Sequence, residues 1–225
     1  MPPLGPEVDP TPRPLPTRAT LAGRYATLEP LERRHAGDLW QVAQGADESW
    51  AYLGHGPFAS EDAMARFIDE FAGAGERMVW AVRPHASGVV SGWLALLDVQ
   101  PRNASIEVGS IWFSPRLQRT SAATEAIYLL LHMAADELGY RRLVWKCNAL
   151  NVPSKRAAER LGFTYEGRHR AHQVVKGRLR DTDWYSIVQD EWPRCRAALE
   201  AWLDPSNYGA DGAPKRGLAA LRGAG

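Results

Sequence analysis

Three consecutive strand patterns joined by short connections constrain the fold of this chain more than any other feature. Apolar residues alternate over residues 77–83, and a long apolar run follows over residues 89–99. The third pattern, residues 104–113, changes phase at Gly109, and a phase change at glycine is typical of a β-bulge. Because the three strands follow one another directly, they predict an antiparallel meander.

Helix and strand patterns flank this meander on both sides. The expected elements, in order, are a strand or hairpin at 17–28 broken by glycine, helices at 31–44 and 60–73, the meander, a long helix at 123–138, a strand at 142–147, a helix at 151–161, strands at 163–168 and 183–188, and a closing helix at 192–202. This order predicts an α/β domain of the α+β type, with a mainly antiparallel sheet and helices on both faces.

The two ends of the chain lack such patterns. Residues 1–16 are rich in proline and predict a disordered or extended arm. Residues 205–225 mix glycine, alanine and a few charges and predict a flexible tail, which leaves residues 17–204 for the folded domain. Two cysteines are too few for a disulfide framework and predict buried thiols in a reducing cytoplasm.

The charge and the hydropathy of the chain exclude several classes of partner. A formal net charge of +1 gives no sign of a nucleic-acid footprint. No apolar run reaches the roughly 18 residues that a membrane-spanning helix needs, so we expect no membrane contact. The sequence contains no Walker loop, His-Glu-x-x-His, Gly-x-Gly-x-x-Gly after a strand or Gly-x-Ser-x-Gly. This argues against a nucleotide hydrolase, a zinc protease, a dinucleotide oxidoreductase and a serine hydrolase. His169 and His172 lack a cysteine or carboxylate partner set, and we interpret them as part of a solvated basic loop rather than a metal site.

The junction between the third meander strand and the long helix is the most informative segment. Residues 114–126 form a polar loop that opens directly into the helix, where free backbone N–H groups favour phosphate. Arg116 and Arg119 add positive charge beside it. An ordinary capped helix start, with Thr120 or Ser121 as the N-cap, explains the same residues. The loop also lacks the glycines of stronger phosphate loops, so the sequence of the loop alone leaves both interpretations open.

A second segment lies about 30 residues farther on and, together with the first, carries a family resemblance. It reads Asn151-Val152-Pro153-Ser154-Lys155-Arg156-Ala157-Ala158-Glu159-Arg160-Leu161-Gly162-Phe163. Here the chain resembles the GNAT acetyltransferases, and within them the branch similar to RimJ and RimL. The resemblance spans about residues 19–192. It also includes Leu28-Glu29-Pro30-Leu31, Ile106-Glu107-Val108-Gly109, the loop at Gln118, Asp181-Thr182-Asp183-Trp184-Tyr185-Ser186 and Glu191-Trp192.

The resemblance implies the GNAT fold, with a mixed, mainly antiparallel twisted sheet of six to seven strands and helices on both faces. It also implies acetyl-coenzyme A (acetyl-CoA) as the cosubstrate, with no metal. The coenzyme motif of the family, Gln/Arg-x-x-Gly-x-Gly/Ala, corresponds here to Gln118, Arg119, Thr120, Ser121, Ala122 and Ala123. Ser121 stands where the family usually has glycine, and its Cβ takes space that a close approach of pyrophosphate needs. Its hydroxyl can itself donate a hydrogen bond to phosphate. We therefore expect a weakened affinity for the coenzyme rather than a loss of binding.

The resemblance places further coenzyme contacts on the bulged strand and on the second helix. The backbone N–H groups of Ile111, Trp112 and Phe113 are implied to bind the pantetheine arm and polarise the thioester. The side-chain amide of Asn151 suits the pantetheine amides, and capping of the helix is a compatible alternative role.

Two residues are candidates for moving protons, and two for binding the acceptor. Glu107 lies in an otherwise apolar strand, where its pKa rises towards the range of a general base; a purely structural acceptor is the alternative. Ser154 matches the serine that RimL-like enzymes place near the coenzyme sulfur, and a helix-start serine is the alternative. Trp50 and Tyr52 lie in a loop where such enzymes build the acceptor pocket, and a core role is equally open.

These features together predict an acetyl-CoA-dependent N-acetyltransferase of the cytoplasm. The acceptor is expected to be a primary amine, either a protein N-terminus or a small molecule, that attacks the thioester directly. Ser121 keeps open a catalytically silent coenzyme A-binding module, and a domain that kept only the fold is a third alternative. The sequence leaves the oligomeric state open, with a homodimer common among the relatives.

Overall fold

The computed structural model describes residues 2–73, 75 and 77–223. The strands over these residues are β1 (Leu21–Ala22), β2 (Ala26–Pro30), β3 (Arg77–Pro84), β4 (Gly92–Gln100), β5 (Ser105–Phe113), β6 (Arg142–Asn148), β7 (Thr164–Val175) and β8 (Arg178–Val188). They form one sheet in the order β1-β2-β3-β4-β5-β6-β8-β7. The pairing of β5 with β6 is parallel, and every other pair is antiparallel.

Helices cover both faces of this sheet. They are α1 (Ala36–Ala43), α2 (Glu61–Gly73), α3 (Ser121–His132), α4 (Val152–Leu161), α5 (Trp192–Leu203) and α6 (Leu218–Arg222). Apolar side chains of α1 and α2 share one core with Val79 and Trp93, whereas α3, α4, α5 and α6 share the other core with Trp80 and Ile106. The predicted mainly antiparallel α/β fold is confirmed. The described residues form eight strands rather than six to seven, because the first hairpin contributes a separate two-residue strand.

The end of the sheet differs from the sequence prediction. Strands were expected at 163–168 and 183–188 with a basic loop between them, but β7 and β8 form one long hairpin. Its pairing extends through Gln173↔Arg180 to Val175↔Arg178, with one register shift after His169. These residues are mostly polar and exposed on both faces, so backbone hydrogen bonds hold strands that leave no hydrophobic pattern in the sequence.

The C-terminal segment also differs from the flexible tail expected over residues 205–225. Its described part continues from a 3-10 turn, Pro205–Asn207, into α6, which buries Leu218. The Arg222 guanidinium donates to the last carbonyls of α4, those of Glu159 and Arg160. Apolar burial and hydrogen bonds, this cap among them, therefore hold a segment whose composition gave no signal.

The proline-rich arm lies against the domain without forming a helix or strand. The backbone N–H of Arg13 donates to the carbonyl of Pro101 at 3.0 Å, and the Tyr140 hydroxyl donates to the carbonyl of Pro14 at 3.0 Å. Met1 of the predicted arm and residues 224–225 of the predicted tail lie outside the described residues.

One buried carboxylate ties the first hairpin to the start of α3. Glu125, 5% exposed, accepts hydrogen bonds from the backbone N–H groups of Arg24, Tyr25 and Ala26 at 2.6–2.8 Å. A Cβ on Gly23 would collide with this carboxylate, which explains the glycine that breaks the first strand pattern.

We expect the Glu125→Ala variant to lose about 3 kcal/mol of unfolding free energy, because it leaves three backbone donors without a charged acceptor. Urea denaturation measures the loss. The exposed Glu159→Ala variant serves as the matched control and is expected to change stability by less than about 0.5 kcal/mol. Equal stabilities for the two variants would contradict this role of Glu125.

Candidate active site

A gap opens between the two parallel strands at the centre of the sheet. Pairing of β5 with β6 begins at Ser105↔Arg142 and ends at Glu107↔Val144, although both strands continue. On its other side β5 stays paired with β4, with a register shift between the pairs Ala95↔Gly109 and Trp93↔Trp112. The phase change in the sequence therefore corresponds to a bulge that bends β5 away from β6. Beyond Glu107, the edge of β5 faces the gap.

The bulge accounts for the backbone conformation of Ser110 and for the glycine at position 109. Ser110 has a φ of +49°, which turns the strand locally. A Cβ on Gly109 would lie 2.8 Å from Oε1 of Glu107 and 3.2 Å from Cδ2 of Leu97. Glycine at this position therefore leaves room for the Glu107 carboxylate.

Glu107 lies at the closed end of the gap. It is 7% exposed, and its Oε2 is 2.8 Å from Nζ of Lys146. Burial raises the pKa of Glu107 above its ordinary value, and the charge of Lys146 opposes that rise. The residue therefore has the raised pKa that the sequence predicted, but in a salt bridge that it did not predict.

Lys146 is a site residue that the sequence interpretation missed. Its Nζ also lies 2.7 Å from Oδ2 of Asp98 and 4.2 Å from the ring centre of Trp184. Burial lowers the pKa of Lys146, but Glu107 and Asp98 outweigh burial and hold it above its ordinary value. The sequence did contain a signal for it. Lys146 lies between Trp145 and Cys147 in an alternating strand, so its side chain belongs to the face opposite their core.

The start of α3 lies past the end of β5, as the junction in the sequence predicted. Thr120 is the N-cap, and its Oγ1 accepts from the N–H of Ala123 at 3.1 Å. The N–H groups of Ser121 and Ala122 belong to the first turn, where a helix has no internal acceptor for them. They therefore remain suited to an anion.

The loop before α3 is held by its own side chains. Nε2 of Gln118 donates to the carbonyl of Phe113 at 2.8 Å, and Arg119 has a left-handed backbone with a φ of +63°. A cleft of ≈ 420 Å³ opens beside the helix start. The lining includes Arg24, Tyr25, His85, Arg116, Thr120 and Ser121.

The Ser121 hydroxyl has a partner that the sequence did not suggest. It donates to the hydroxyl oxygen of Tyr208 at 2.9 Å, and Tyr208 belongs to the C-terminal segment. Tyr208 in turn contacts the rings of Tyr25 and Trp202. The serine that replaces glycine in the coenzyme motif is thus joined to the segment that was expected to be flexible.

The start of α4 brings Asn151 and Ser154 together. Oδ1 of Asn151 accepts from the backbone N–H of Ser154 at 3.2 Å, so Asn151 is the N-cap of α4. The Ser154 hydroxyl accepts from Nε1 of Trp145 at 3.0 Å. Burial raises the pKa of the Cys147 thiol, and a hydrogen bond with Ser154 opposes that rise. A hydroxyl that accepts from an indole still has a proton to donate.

Glu107 and Ser154 lie on opposite faces of the sheet. Ile106 and Val108 point into the core beneath α3, so Glu107 between them points to the other face. Ser154 bonds to Trp145, which belongs to the core beneath α3. The gap between β5 and β6 therefore separates the two proposed proton-handling groups.

The aromatic residues assigned to the site divide between core and surface. Trp50 is 1% exposed and stacks on Trp112 with ring centres 4.2 Å apart. The side chains of both therefore belong to the core beneath α1 and α2 rather than to a pocket wall. Ile111, Phe113 and Tyr52 are partly buried.

The hairpin of β7 and β8 arches over the face that carries Glu107. At its tip, Nζ of Lys176 donates to the carbonyls of Trp50 at 3.0 Å and Gly56 at 2.5 Å. We call the space between this hairpin, Glu107 and the loop around Tyr52 the hairpin cleft. Across residues 2–73, 75 and 77–223, no cluster of three His, Cys, Asp or Glu side chains has the arrangement of a metal site. Among the helices in that part of the chain, none is both long enough and apolar enough to cross a membrane.

The chain is similar to known acetyltransferases. A family model described as an acetyltransferase (GNAT) domain matches residues 26–164. A crystal structure of a GCN5-related N-acetyltransferase from Brucella melitensis is 41% identical, with a TM-score of 0.92, and the match covers 95% of this chain and 98% of that one.

Two curated bacterial proteins match a shorter part of the chain. The ribosomal-protein-serine acetyltransferase of Escherichia coli (strain K12) is 27% identical over 99 residues, which are 44% of this chain and 55% of that protein. The uncharacterized N-acetyltransferase YnaD of Bacillus subtilis (strain 168) is 28% identical over 86 residues, which are 38% of this chain and 50% of that protein. The match spans about half the length of each of these curated relatives.

We expect the Lys146→Met variant to raise the pKa of Glu107 further, because the positive charge that favours the carboxylate is lost. A ¹³C NMR titration of the carboxyl groups measures the change. Lys215→Met, at an exposed position in the C-terminal segment, is the control and is expected to leave the titration of Glu107 unchanged. A lower pKa for Glu107 in the Lys146→Met variant would contradict the salt bridge.

Proposed function

The chain belongs to the GNAT acetyltransferase family, and we propose that it moves an acetyl group from acetyl-CoA to a primary amine, on a protein N-terminus or a small molecule. The observation that carries this proposal is the gap between β5 and β6. It has the phosphate-suited start of α3 at its open end and a buried carboxylate, Glu107, at its closed end. The similarity to enzymes named as N-acetyltransferases supports the same chemistry.

The residues around the gap fit the coenzyme in three places. The backbone of residues 111–113 follows the open edge of β5, where unpaired N–H groups suit the amides of the pantetheine arm and the thioester oxygen. The N–H groups of Ser121 and Ala122 suit the pyrophosphate. The Asn151 amide nitrogen suits a pantetheine carbonyl, while its oxygen caps α4. Coenzyme binding would supply the activated acetyl group.

Glu107 is placed to receive the proton of the attacking amine. The nitrogen lone pair forms a bond to the thioester carbon, the C–S bond breaks, and the ammonium proton leaves to the carboxylate. Burial favours this, because the carboxylate with a raised pKa binds a proton more readily than one in water. The charge of Lys146 favours the ionised form of Glu107, which is the form that acts as a base.

Ser154 is placed on the other face of the gap to serve the departing sulfur. Its hydroxyl oxygen accepts from Trp145, which orients the hydroxyl proton away from the indole. A hydrogen bond from this hydroxyl stabilises a thiolate without complete proton transfer, which suits a group as weakly acidic as serine.

The Ser121–Tyr208 hydrogen bond favours one alternative, a coenzyme-binding module without catalysis. The hydroxyl at the coenzyme loop is already paired, and the Cβ of Ser121 remains where the family usually has glycine. Such a module would bind the coenzyme and release no thiol.

Calorimetry with acetyl-CoA and a thiol-release assay with a panel of amines test the proposal together. We expect saturable binding and amine-dependent release of free coenzyme A. The Glu107→Gln variant is expected to keep coenzyme affinity and lose about 10²- to 10⁴-fold in kcat, because a neutral amide accepts no proton. Binding of acetyl-CoA without release of free coenzyme A for any amine would favour the silent module. No binding at millimolar acetyl-CoA would reject both the acetyltransferase and the silent module.

The Ser154→Ala variant is expected to lower kcat by about 10-fold or more, because the leaving thiolate loses a hydrogen-bond donor. Steady-state kinetics on the best acceptor measure the loss. Ser154→Thr keeps the hydroxyl and is the matched control, for which partial activity is expected. A wild-type kcat in the alanine variant would reject Ser154 as a participant.

A further inference from the structure

Arg180 in the hairpin cleft carries a charge for which the described residues supply no ion-paired partner. Its side chain is half-buried, and its Nε is shielded from solvent with no hydrogen-bond partner among the residues described here. Burial lowers the pKa of this guanidinium, and Cys147 and Glu107 oppose that only through their charge at a distance. A partly desolvated cation without a partner costs stability, and such costs concentrate at functional sites.

The sheet register puts Arg180 on the same face as Glu107. Glu107 pairs with Val144, and Val144 pairs with Ser186, so these three side chains share a face. Arg180 lies six residues from Ser186 on β8, an even number, and so belongs to that face as well. Because Lys176 at the hairpin tip reaches back to Trp50, the hairpin brings Arg180 over the cleft rather than away from it.

Lys146, the cation beside Glu107 in the hairpin cleft, already has partners. Lys146 contacts the carboxylates of Glu107 and Asp98. Desolvation, followed by the charges of His169, Arg180 and Lys146, lowers the pKa of His172 and so favours its neutral form. The ammonium of Lys176 is held by the carbonyls of Trp50 and Gly56, whereas the guanidinium of Arg180 is a half-buried cation with no hydrogen-bond partner for its Nε among the described residues.

We propose that Arg180 binds a carboxylate of the amine acceptor while Glu107 faces its amine. The preferred acceptors then carry both groups, either as free amino acids or as peptide N-termini with an acidic residue close behind. This inference rests on the proposed acetyltransferase function and narrows its acceptor class. A guanidinium suits the task because it binds a carboxylate with two parallel N–H donors.

Matched acceptors that differ only in charge test the proposal. The first pair is alanine and alaninamide. The second pair is two short peptide amides that differ at their second position, which is glutamate in one and glutamine in the other. Wild-type kcat/KM is expected to favour the carboxylate member, and the Arg180→Met variant is expected to lose about 10- to 100-fold on that member and less than about 2-fold on its neutral partner. The amino-acid and peptide pairs distinguish the two sources of the carboxylate.

Two further variants keep the test specific. Arg180→Lys retains the charge but not the paired donors and is expected to lie between the wild type and the methionine variant. Arg170→Met, at an exposed arginine of the same hairpin, is expected to leave selectivity unchanged. Since no described residue forms a hydrogen bond or ion pair with the Arg180 side chain, the Arg180→Met variant is expected to be at least as stable to urea as the wild type and to bind acetyl-CoA equally well.

Several results would overturn the role of Arg180. These are an equal loss on charged and neutral acceptors, a weakened affinity for acetyl-CoA, or a destabilised Arg180→Met variant with unchanged selectivity. If no amine releases thiol from the wild type, the proposed function fails, and calorimetry with N-acetylalanine and N-acetylalaninamide still decides the inference. Equal binding of these two probes to the wild type would then reject it, and a preference for the acid that Arg180→Met removes would support it.

Discussion

The early end of the pairing between β5 and β6 is the constraint on which the site depends. Parallel strands normally continue their hydrogen bonds side by side, but here the pairing stops at Glu107↔Val144 while both strands run on. The bulge at Ser110 bends β5, and continued pairing with β4 keeps it in the sheet. The result is a slot with unpaired backbone donors along one wall, which no continuous sheet offers.

Both ends of this slot are held by polar groups buried in apolar surroundings. At the closed end, Gly109 leaves space for the Glu107 carboxylate, and Lys146 balances its charge. At the open end, Glu125 holds the first hairpin against α3, while Thr120 caps the helix whose first N–H groups stay free. These groups have partners within the protein, whereas the described residues supply none for Nε of Arg180, and a helix supplies no internal acceptor for the first N–H groups of α3. The distinction separates residues that build the site from those suited to bind a ligand.

The accuracy of the sequence predictions follows the strength of the hydrophobic pattern. The meander, the bulge at Gly109 and the helices at α2 and α4 were predictable because their apolar residues repeat with the period of the element. The long hairpin after His169 and the fold of the C-terminal segment were not, because backbone hydrogen bonds and one arginine cap hold them. Trp50 was assigned to the acceptor pocket with a core role equally open, and its stacking on Trp112 places it in the core.

The sequence by itself determined the fold, the family and the positions of Glu107, Asn151, Ser154 and the α3 junction. It did so because periodicity and short motifs are local properties of the chain. Only the tertiary structure decided which groups meet: Lys146 with Glu107, Tyr208 with Ser121, and Arg180 with the sheet face that carries Glu107. Such encounters depend on strand register and on the bend of a hairpin, and those are set by packing across distant segments rather than by neighbours in sequence.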